Sequence, residues 1–164
     1  MRLCEAIPLK MRYPFRKQFG PYAKFTPPFS RACFRLAAWV QPLLPKGLHD
    51  RRVRVCAVTF GKDGNRSYLL EGRDCAKGAP CLVYFHGGGF VYGAARYHYE
   101  NAKAYALGAE CKVLFVNYPL APYHPFPEPD EACLAAYRYA CTHAEELGID
   151  ARRVAVGGDS AGGF

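Results

Sequence analysis

The feature that most constrains this chain is a buried strand pattern that runs straight into a glycine-rich turn at its C-terminal end. Arg153 to Val156 reads as a short strand, and the run Gly158-Asp159-Ser160-Ala161-Gly162 follows it. A serine with glycines two residues to either side has the composition of a nucleophile elbow, a sharp strand-to-helix turn. The glycines permit this turn because they bring no Cβ atoms into it. Ser160 would then stand clear of the sheet, with the backbone N–H of Ala161 at a helix N-terminus.

A second glycine-rich turn makes the sequence pattern more specific than the serine motif alone. Gly-x-Ser-x-Gly alone occurs by chance in roughly 5% of chains of this length. Upstream, however, the apolar run Cys81 to Phe85 leads into His86-Gly87-Gly88-Gly89. Three glycines without Cβ atoms let successive N–H groups turn toward one point and let a carbonyl group approach the backbone closely. A purely structural glycine turn is the alternative for this loop.

Together the two stretches resemble the α/β-hydrolase fold, and within it the hormone-sensitive-lipase-like esterases and lipases. That family carries a His-Gly-Gly-Gly loop after its third strand and a Gly-Asp-Ser-Ala-Gly-Gly elbow after its fifth, matched here by residues 86–89 and 158–163. Between them, residues 117–127 are similar to the family's Asp-Tyr-Arg-Leu-Ala-Pro-Glu-His-Pro-Phe-Pro segment. This segment departs from the family at Asn117, Pro119 and Tyr123. The resemblance covers residues 53 to 164, with the three motifs in the family's order.

The resemblance implies a serine hydrolase site. Ser160 is implied to be the catalytic nucleophile, and Gly88, Gly89 and Ala161 are implied to supply the N–H groups of the oxyanion hole. The implied activity is hydrolysis of a carboxylic ester with a small-molecule acyl ester as substrate, and it requires no metal or cofactor. Amide or peptide substrates stay open because the same groups serve all acyl transfers. A non-catalytic binding protein on the same scaffold is the alternative function.

The histidine beside the glycines is assigned a supporting role. The corresponding histidine of the family mainly steadies the loop, so His86 and Gly87 are implied to support it. His86 also precedes the serine in the chain, whereas the catalytic histidine of this fold comes last in the order Ser, Asp or Glu, His. His86 is therefore not expected to be the catalytic base.

The triad order also predicts where the serine's partners lie. Both would follow Phe164, and the family's catalytic domains are roughly twice as long as this chain. We therefore expect an N-terminal fragment, or a truncated gene product, that holds the first five strands of the family's sheet and lacks the sixth to eighth. Such a fragment would be nearly inactive by itself. A complete small protein is the alternative, but it leaves the His-Gly-Gly-Gly loop unexplained.

The pattern from residue 53 onward predicts an α/β domain with a mostly parallel sheet, truncated after the elbow. The predicted elements, in order, are the strands Arg54 to Phe60, Ser67 to Glu71 and Cys81 to Phe85, a helix over 98–108, the strand Cys111 to Val116, a helix from Pro129 to Leu147 and the strand at Val154. Asp63-Gly64 predicts a hairpin turn between the first two strands. The third strand is uninterruptedly apolar, which is typical of an interior strand.

Residues 1–52 differ from the rest in charge. The formal charge of the whole chain is +8, and residues 1–54 hold twelve Lys or Arg against two acids, Glu5 and Asp50. The basic residues are scattered among prolines and aromatics rather than clustered, so we expect no nucleic-acid partner. This Pro-rich arm contains one predicted helix, Ser30 to Val40. Whether the arm forms a cap over the active-site cleft or a poorly ordered leader is left open.

Cysteine usage and hydropathy predict a cytoplasmic protein. None of the eight cysteines is spaced as Cys-x-x-Cys, and Cys81, Cys111 and Cys133 fall in apolar patterns typical of free thiols. No signal peptide is apparent. The longest apolar region, Leu36 to Leu44, is far short of the ~20 residues of a membrane span, so no stable membrane insertion is expected. Histidines 49, 98, 124 and 143 lack metal-site spacing and are expected to be structural or exposed. Homo-oligomerisation of the full-length protein is left open.

Overall fold

The computed structural model describes residues 46–61 and 66–164, together with Leu36 and Val40. Most of the predicted basic arm, and most of the helix predicted from Ser30 to Val40, therefore lies outside the described residues. Leu36 and Val40 are both helical and exposed.

The described domain begins with two antiparallel strands. β1 (Val53–Thr59) and β2 (Arg66–Gly72) pair in continuous register from Val53 opposite Gly72 to Thr59 opposite Arg66. This confirms the predicted pair of strands. The turn that joins them falls mainly on residues outside the described ranges.

Three parallel strands follow, and they set the position of the candidate site. β3 (Ala79–Phe85), β4 (Lys112–Val116) and β5 (Ile149–Gly158) run in the same direction, and the strand order of the sheet is β1-β2-β4-β3-β5. β2 pairs with β4 in the antiparallel sense, so the sheet as a whole is mixed. As predicted, β3 is an interior strand. β5 begins four residues earlier than predicted and lies at an edge of this five-stranded sheet.

The helix between β3 and β4 was predicted correctly in place but not in orientation. α1 (Arg96–Gly108) begins two residues before the predicted start. Apolar spacing predicts one face of this helix from Ala102, Tyr105, Ala106 and Ala109. Of these, Ala102 and Ala106 are buried, but Tyr105 and Ala109 are exposed. Three residues that apolar periodicity did not identify are buried instead: His98, Tyr99 and Lys103.

The single helix predicted from Pro129 to Leu147 is wrong, because it is two helices. α2 (Glu128–Thr142) and α3 (Ala144–Leu147) are separated by His143, whose φ of −110° lies outside the helical range. The hydroxyl of Thr142 donates to the carbonyl of Arg138 at 2.9 Å, a local bond that competes with regular helix bonding. The predicted stop at Gly148 is confirmed, since its φ of 63° is left-handed.

The sheet is covered on both faces by alternate side chains of its strands. Val83 and Leu114 belong to the core cluster that also holds Ala136 and Ala140 of α2. Their chain neighbours Tyr84 and Phe115 belong to the opposite cluster, with residues of α1. Burying side chains of this size stabilises the fold by about 1.5–3 kcal/mol each. The period of two along each strand therefore fixes which residues meet each helix.

The end of the sheet where the parallel strands begin holds a partly buried ion cluster. Glu71 accepts from Lys112 at 2.6 Å and from Arg54 at 2.7 Å. Lys112 also donates to the carbonyl of Leu147 at the C-terminus of α3, at 2.9 Å. A cation there satisfies an otherwise unpaired helix carbonyl and complements the helix dipole.

Among the helices in the described ranges, none combines the length and the apolar character that crossing a bilayer requires.

Candidate active site

The predicted elbow forms at the opposite end of the sheet, where β5 ends. A single 3₁₀ turn from Ser160 to Gly163 follows the strand directly. Ser160 has a φ of +50°, a conformation that costs a non-glycine residue about 1–3 kcal/mol. A Cβ atom at Gly158 would overlap the carbonyl of Gly162, and one at Gly162 would overlap the carbonyl of Phe85. The two glycines of the motif are therefore required by close backbone approach on either side of the serine.

The loop of residues 86–89 leaves β3 next to this elbow, because β3 and β5 are adjacent parallel strands. A Cβ atom at Gly87 would stand 3.2 Å from the Cβ of Ser160 and 2.5 Å from Oδ2 of Asp159. The loop continues through Gly88 at φ +132° and Gly89 at φ +60°, conformations open to glycine. A segment 71 or more residues earlier in the chain thus lies directly beside Asp159 and Ser160.

The backbone N–H groups of the loop and elbow divide into two kinds. The N–H of Gly87 donates to Oδ1 of Asp159 at 3.2 Å. The N–H groups of Gly88, Gly89 and Ala161 make no hydrogen bond to another described residue. The loop has therefore committed one amide to its own structure, while the three amides expected to bind an oxyanion stay available.

His86 is buried within the loop and cannot act as a mobile base. Its side chain is 1% exposed, its Nδ1 donates to the carbonyl of Gly87 at 2.7 Å, and its ring stacks on Tyr118 with centroids 4.5 Å apart. The Tyr118 hydroxyl in turn donates to the carbonyl of His86 at 2.5 Å. Burial lowers the pKa of His86 to about 4, so the ring is neutral near pH 7. These contacts fix the ring within the loop.

Asp159, which precedes the serine, joins three segments of the chain. Its carboxylate accepts from the Tyr84 hydroxyl at 2.6 Å and from the Gly87 amide, and Nε2 of His98 lies 3.3 Å from Oδ2. Burial works against the charged carboxylate. The Tyr84 hydroxyl and the other two groups outweigh it, and the pKa of Asp159 stays below its ordinary value. The carboxylate is thus an anchor for the loop.

Sequence reasoning missed this cluster. Tyr84 was identified only as one apolar position of a strand, and His98 only as structural or exposed. The one available signal was the aspartate inside the elbow motif, because a charged residue next to a strained turn needs a local partner.

Aromatic rings border the elbow on the side of the 117–127 segment. Phe90 lies edge-on to Phe164, with centroids 6.3 Å apart, and 6.4 Å from Tyr118. Asn117, where the segment departs from the family pattern, donates through its side chain to the carbonyl of Arg66 at 2.7 Å. This departure is therefore accommodated by a bond to β2.

Within the ranges 46–61 and 66–164, no group of three or more His, Cys, Asp or Glu side chains is arranged to hold a metal ion.

Comparison with protein families and curated proteins identifies relatives of this chain. A family model described as the alpha/beta hydrolase fold matches residues 82–164. Esterase LipI of Mycobacterium tuberculosis is 47% identical over 85 residues, which cover 52% of this chain and 27% of that protein. Human hormone-sensitive lipase is 38% identical over 103 residues, covering 62% of this chain and 10% of that protein. The match to LipI thus spans about a quarter of that relative's length.

Solved structures show the same architecture. A bacterial heroin esterase superimposes with a TM-score of 0.65 at 32% identity, covering 89% of this chain and 49% of that one. Carboxyl esterase 2 of the fungus Tuber melanosporum gives a TM-score of 0.62 at 31% identity, covering 69% of this chain and 37% of that one.

Proposed function

This chain belongs to the α/β-hydrolase family, in its hormone-sensitive-lipase-like branch, and from that premise we propose that the protein hydrolyses carboxylic esters through Ser160. The chain spans less than half of each relative named above, so the proposal concerns the protein as its gene encodes it. Its substrate is a small acyl ester.

One observation carries the proposal: a serine at φ +50° lies directly beside a glycine loop in which the amides of Gly88 and Gly89 are uncommitted. A strained serine at the end of a parallel strand has no evident value to the fold itself. Strain of this kind is typical of functional sites, where the surrounding structure holds a group ready to react. The pairing of Ser160 with Gly88 and Gly89 supports acyl transfer in particular, since that chemistry needs a nucleophile and oxyanion donors around one carbonyl.

The reaction follows from these positions. Ser160 Oγ attacks the carbonyl carbon of the ester, and its proton passes to a base. The carbonyl π electrons move onto the oxygen, which is bound by the amides of Gly88, Gly89 and Ala161, each worth about 3 kcal/mol in the transition state. The intermediate expels the alcohol, which takes the proton from the protonated base. Water then cleaves the acyl-serine by the same two steps and releases the acid.

The triad order Ser, Asp or Glu, His places the base after Ser160 in the protein as its gene encodes it, and an Asp or Glu orients it. His86 is held by its bond to the Gly87 carbonyl, and His98 accepts the Ala95 amide at Nδ1 while its Nε2 faces Asp159. Neither hydrogen-bonds Ser160 among the described contacts. A serine without a base is a weak nucleophile at neutral pH, so activity depends on that further histidine.

The surroundings of the site support an apolar acyl group as the preferred substrate part. Phe90, Tyr118 and Phe164 lie beside the elbow and offer aromatic surface for an alkyl or aryl chain. We also place the protein in the cytoplasm, a proposal supported by the free state of all six cysteines in the described ranges.

The test is turnover of p-nitrophenyl butyrate by the protein as its gene encodes it. Ser160→Ala is expected to reduce kcat by at least about a thousandfold, because the covalent intermediate can no longer form. Thr142→Ala, which removes an exposed hydroxyl away from the elbow, serves as the matched control and should keep wild-type turnover. Absence of turnover in the wild-type protein would favour the non-catalytic binding alternative. Turnover that persists in Ser160→Ala would show that Ser160 is not the nucleophile.

A further inference from the structure

Among the described residues, His98 is the one with a fully buried polar side-chain atom, Nε2, that makes no hydrogen bond. Its ring is 2% exposed, and Nδ1 accepts the backbone N–H of Ala95 at 2.8 Å. An accepting Nδ1 carries no proton, so the hydrogen of the neutral ring is on Nε2. Nε2 lies 3.3 Å from Oδ2 of Asp159, its nearest acceptor. The ring thus has its single N–H beside that carboxylate, in a contact that falls short of a regular hydrogen bond.

The contact matters because of what else the carboxylate holds. Oδ1 of Asp159 accepts from the Tyr84 hydroxyl and from the amide of Gly87, and Oδ2 faces His98. If the carboxylate rotated, the Gly87 amide would lose its acceptor. The next two residues of the chain are the proposed oxyanion donors Gly88 and Gly89, so their direction depends on where Gly87 is fixed.

We propose that His98 is a positioning residue for this reaction: its Nε2–H holds the Asp159 carboxylate against the Gly87 amide and thereby sets the oxyanion loop on the elbow. The proposal rests on the ester hydrolysis proposed above for the same site. His98 does not touch the substrate, because its ring is buried. It acts through Asp159 and Gly87.

A purely structural role has to be separated from this one, because His98 also binds the Ala95 amide at the first turn of α1. The two ring nitrogens make the separation feasible. His98→Asn keeps an acceptor at the place of Nδ1 and loses the group facing Asp159. His98→Gln keeps an N–H donor at the place of Nε2 and loses the acceptor for Ala95. Each variant retains one of the two contacts.

The experiment measures kcat and KM with p-nitrophenyl butyrate and the thermal midpoint of unfolding, for the protein as its gene encodes it. His98→Asn is expected to lower kcat about 10- to 100-fold, because a misplaced loop weakens transition-state binding, while KM and the midpoint stay near wild type. His98→Gln is expected to retain most of the turnover at a lower midpoint. His143→Asn, which alters an exposed histidine at the end of α2, controls for the substitution itself.

Two kinetic results would overturn the proposal. One is wild-type kcat in His98→Asn, and the other is an equal loss of kcat in the Asn and Gln variants. Hydrogen exchange of the Gly87 amide gives a readout that does not need activity. It should be at least about tenfold faster in His98→Asn than in His98→Gln, since only the former frees the carboxylate. A wild-type protein without turnover would refute the proposed function, and equal exchange in the two variants would refute the positioning role.

Discussion

Two carboxylates at opposite ends of the sheet are held by different kinds of partner. Glu71, where the parallel strands begin, lies between the cations Lys112 and Arg54. Asp159, where they end, is bound by the uncharged Tyr84 hydroxyl and Gly87 amide, with His98 beside them. Both carboxylates have pKa values below the ordinary range, despite burial, because these partners favour the charged form.

This difference in partners indicates different roles. The partners of Glu71 stabilise the fold, whereas the partners of Asp159 shape the site. Opposite charges at the Glu71 end hold β1, β2 and β4 to the C-terminus of α3. Neutral donors at the Asp159 end fix the direction of a carboxylate without placing a second full charge beside Ser160. Hydrogen bonds from neutral donors are weaker than those from cations. The contacts of Asp159 therefore stabilise the fold less than the ion pairs of Glu71 do. We therefore expect substitutions at the first end to change stability, and substitutions at the second to change catalysis.

The largest effect is expected from Lys112→Met. Removing the more buried cation leaves Glu71 with Arg54, whose side chain is 57% exposed, and should lower the free energy of unfolding by about 3 kcal/mol. Urea unfolding measures it. Arg54→Met is the matched control and should cost less than about 1 kcal/mol, as an exposed partner contributes little. Turnover per folded molecule should not change in either variant. Equal losses of unfolding free energy in Lys112→Met and Arg54→Met would contradict the greater stabilising role assigned to Lys112.

Gly87→Ala tests the other end and should act on turnover. The added methyl group would stand 2.5 Å from the Asp159 carboxylate and 3.0 Å from its carbonyl oxygen, so the loop must move away from the elbow. A displacement of about 1 Å predicts a loss in kcat of about 100-fold. Gly108→Ala places a methyl group in open space at the end of α1 and should leave kcat within about twofold. Steady-state kinetics that show no difference between the two variants would contradict the contact between loop and elbow.

The smallest effect is a difference in pH dependence between the two ends. His86 has a folded-state pKa of about 4 against about 6.5 when unfolded, so the unfolded chain binds the extra proton first. Stability should therefore fall by on the order of 2 kcal/mol as the pH drops from 6.5 to 4. The contribution of Glu71, whose pKa is lowered, is lost only below its ordinary 4.5.

His86→Asn keeps an N–H donor for the Gly87 carbonyl and removes the titrating ring. Chemical unfolding at pH 7, 5.5 and 4.5 should show a flatter dependence in this variant than in the wild type. If stability depends on pH as steeply in His86→Asn as in the wild type, another group causes the loss of stability at low pH.

The parts of the site that were foreseen depend on local chemistry. The backbone of the elbow and the loop requires glycine at 158, 162 and 87–89, so the residue types themselves indicate the turns. β3 and β4 are apolar runs, and their burial on both faces follows from composition.

The features that the sequence pattern did not predict depend on contacts that side chains make in the folded protein. Apolar periodicity assigns polar residues to the surface, but His98 and Lys103 are buried because Asp159 and the carbonyl of Gly47 provide partners. The break at His143 has a similar origin, since it accompanies a side-chain bond of Thr142 that periodicity does not register. Partners of this kind become known only when the fold brings them together.

The most direct test of the account is a crystal structure of the protein after reaction with a p-nitrophenyl alkylphosphonate, which mimics the tetrahedral intermediate. We predict phosphorus bonded to Ser160 Oγ, with one phosphonyl oxygen about 2.7–3.1 Å from the amides of Gly88 and Gly89. An adduct on another residue, or a phosphonyl oxygen directed away from both amides into solvent, would contradict the claim that loop and elbow enclose a single reacting carbonyl.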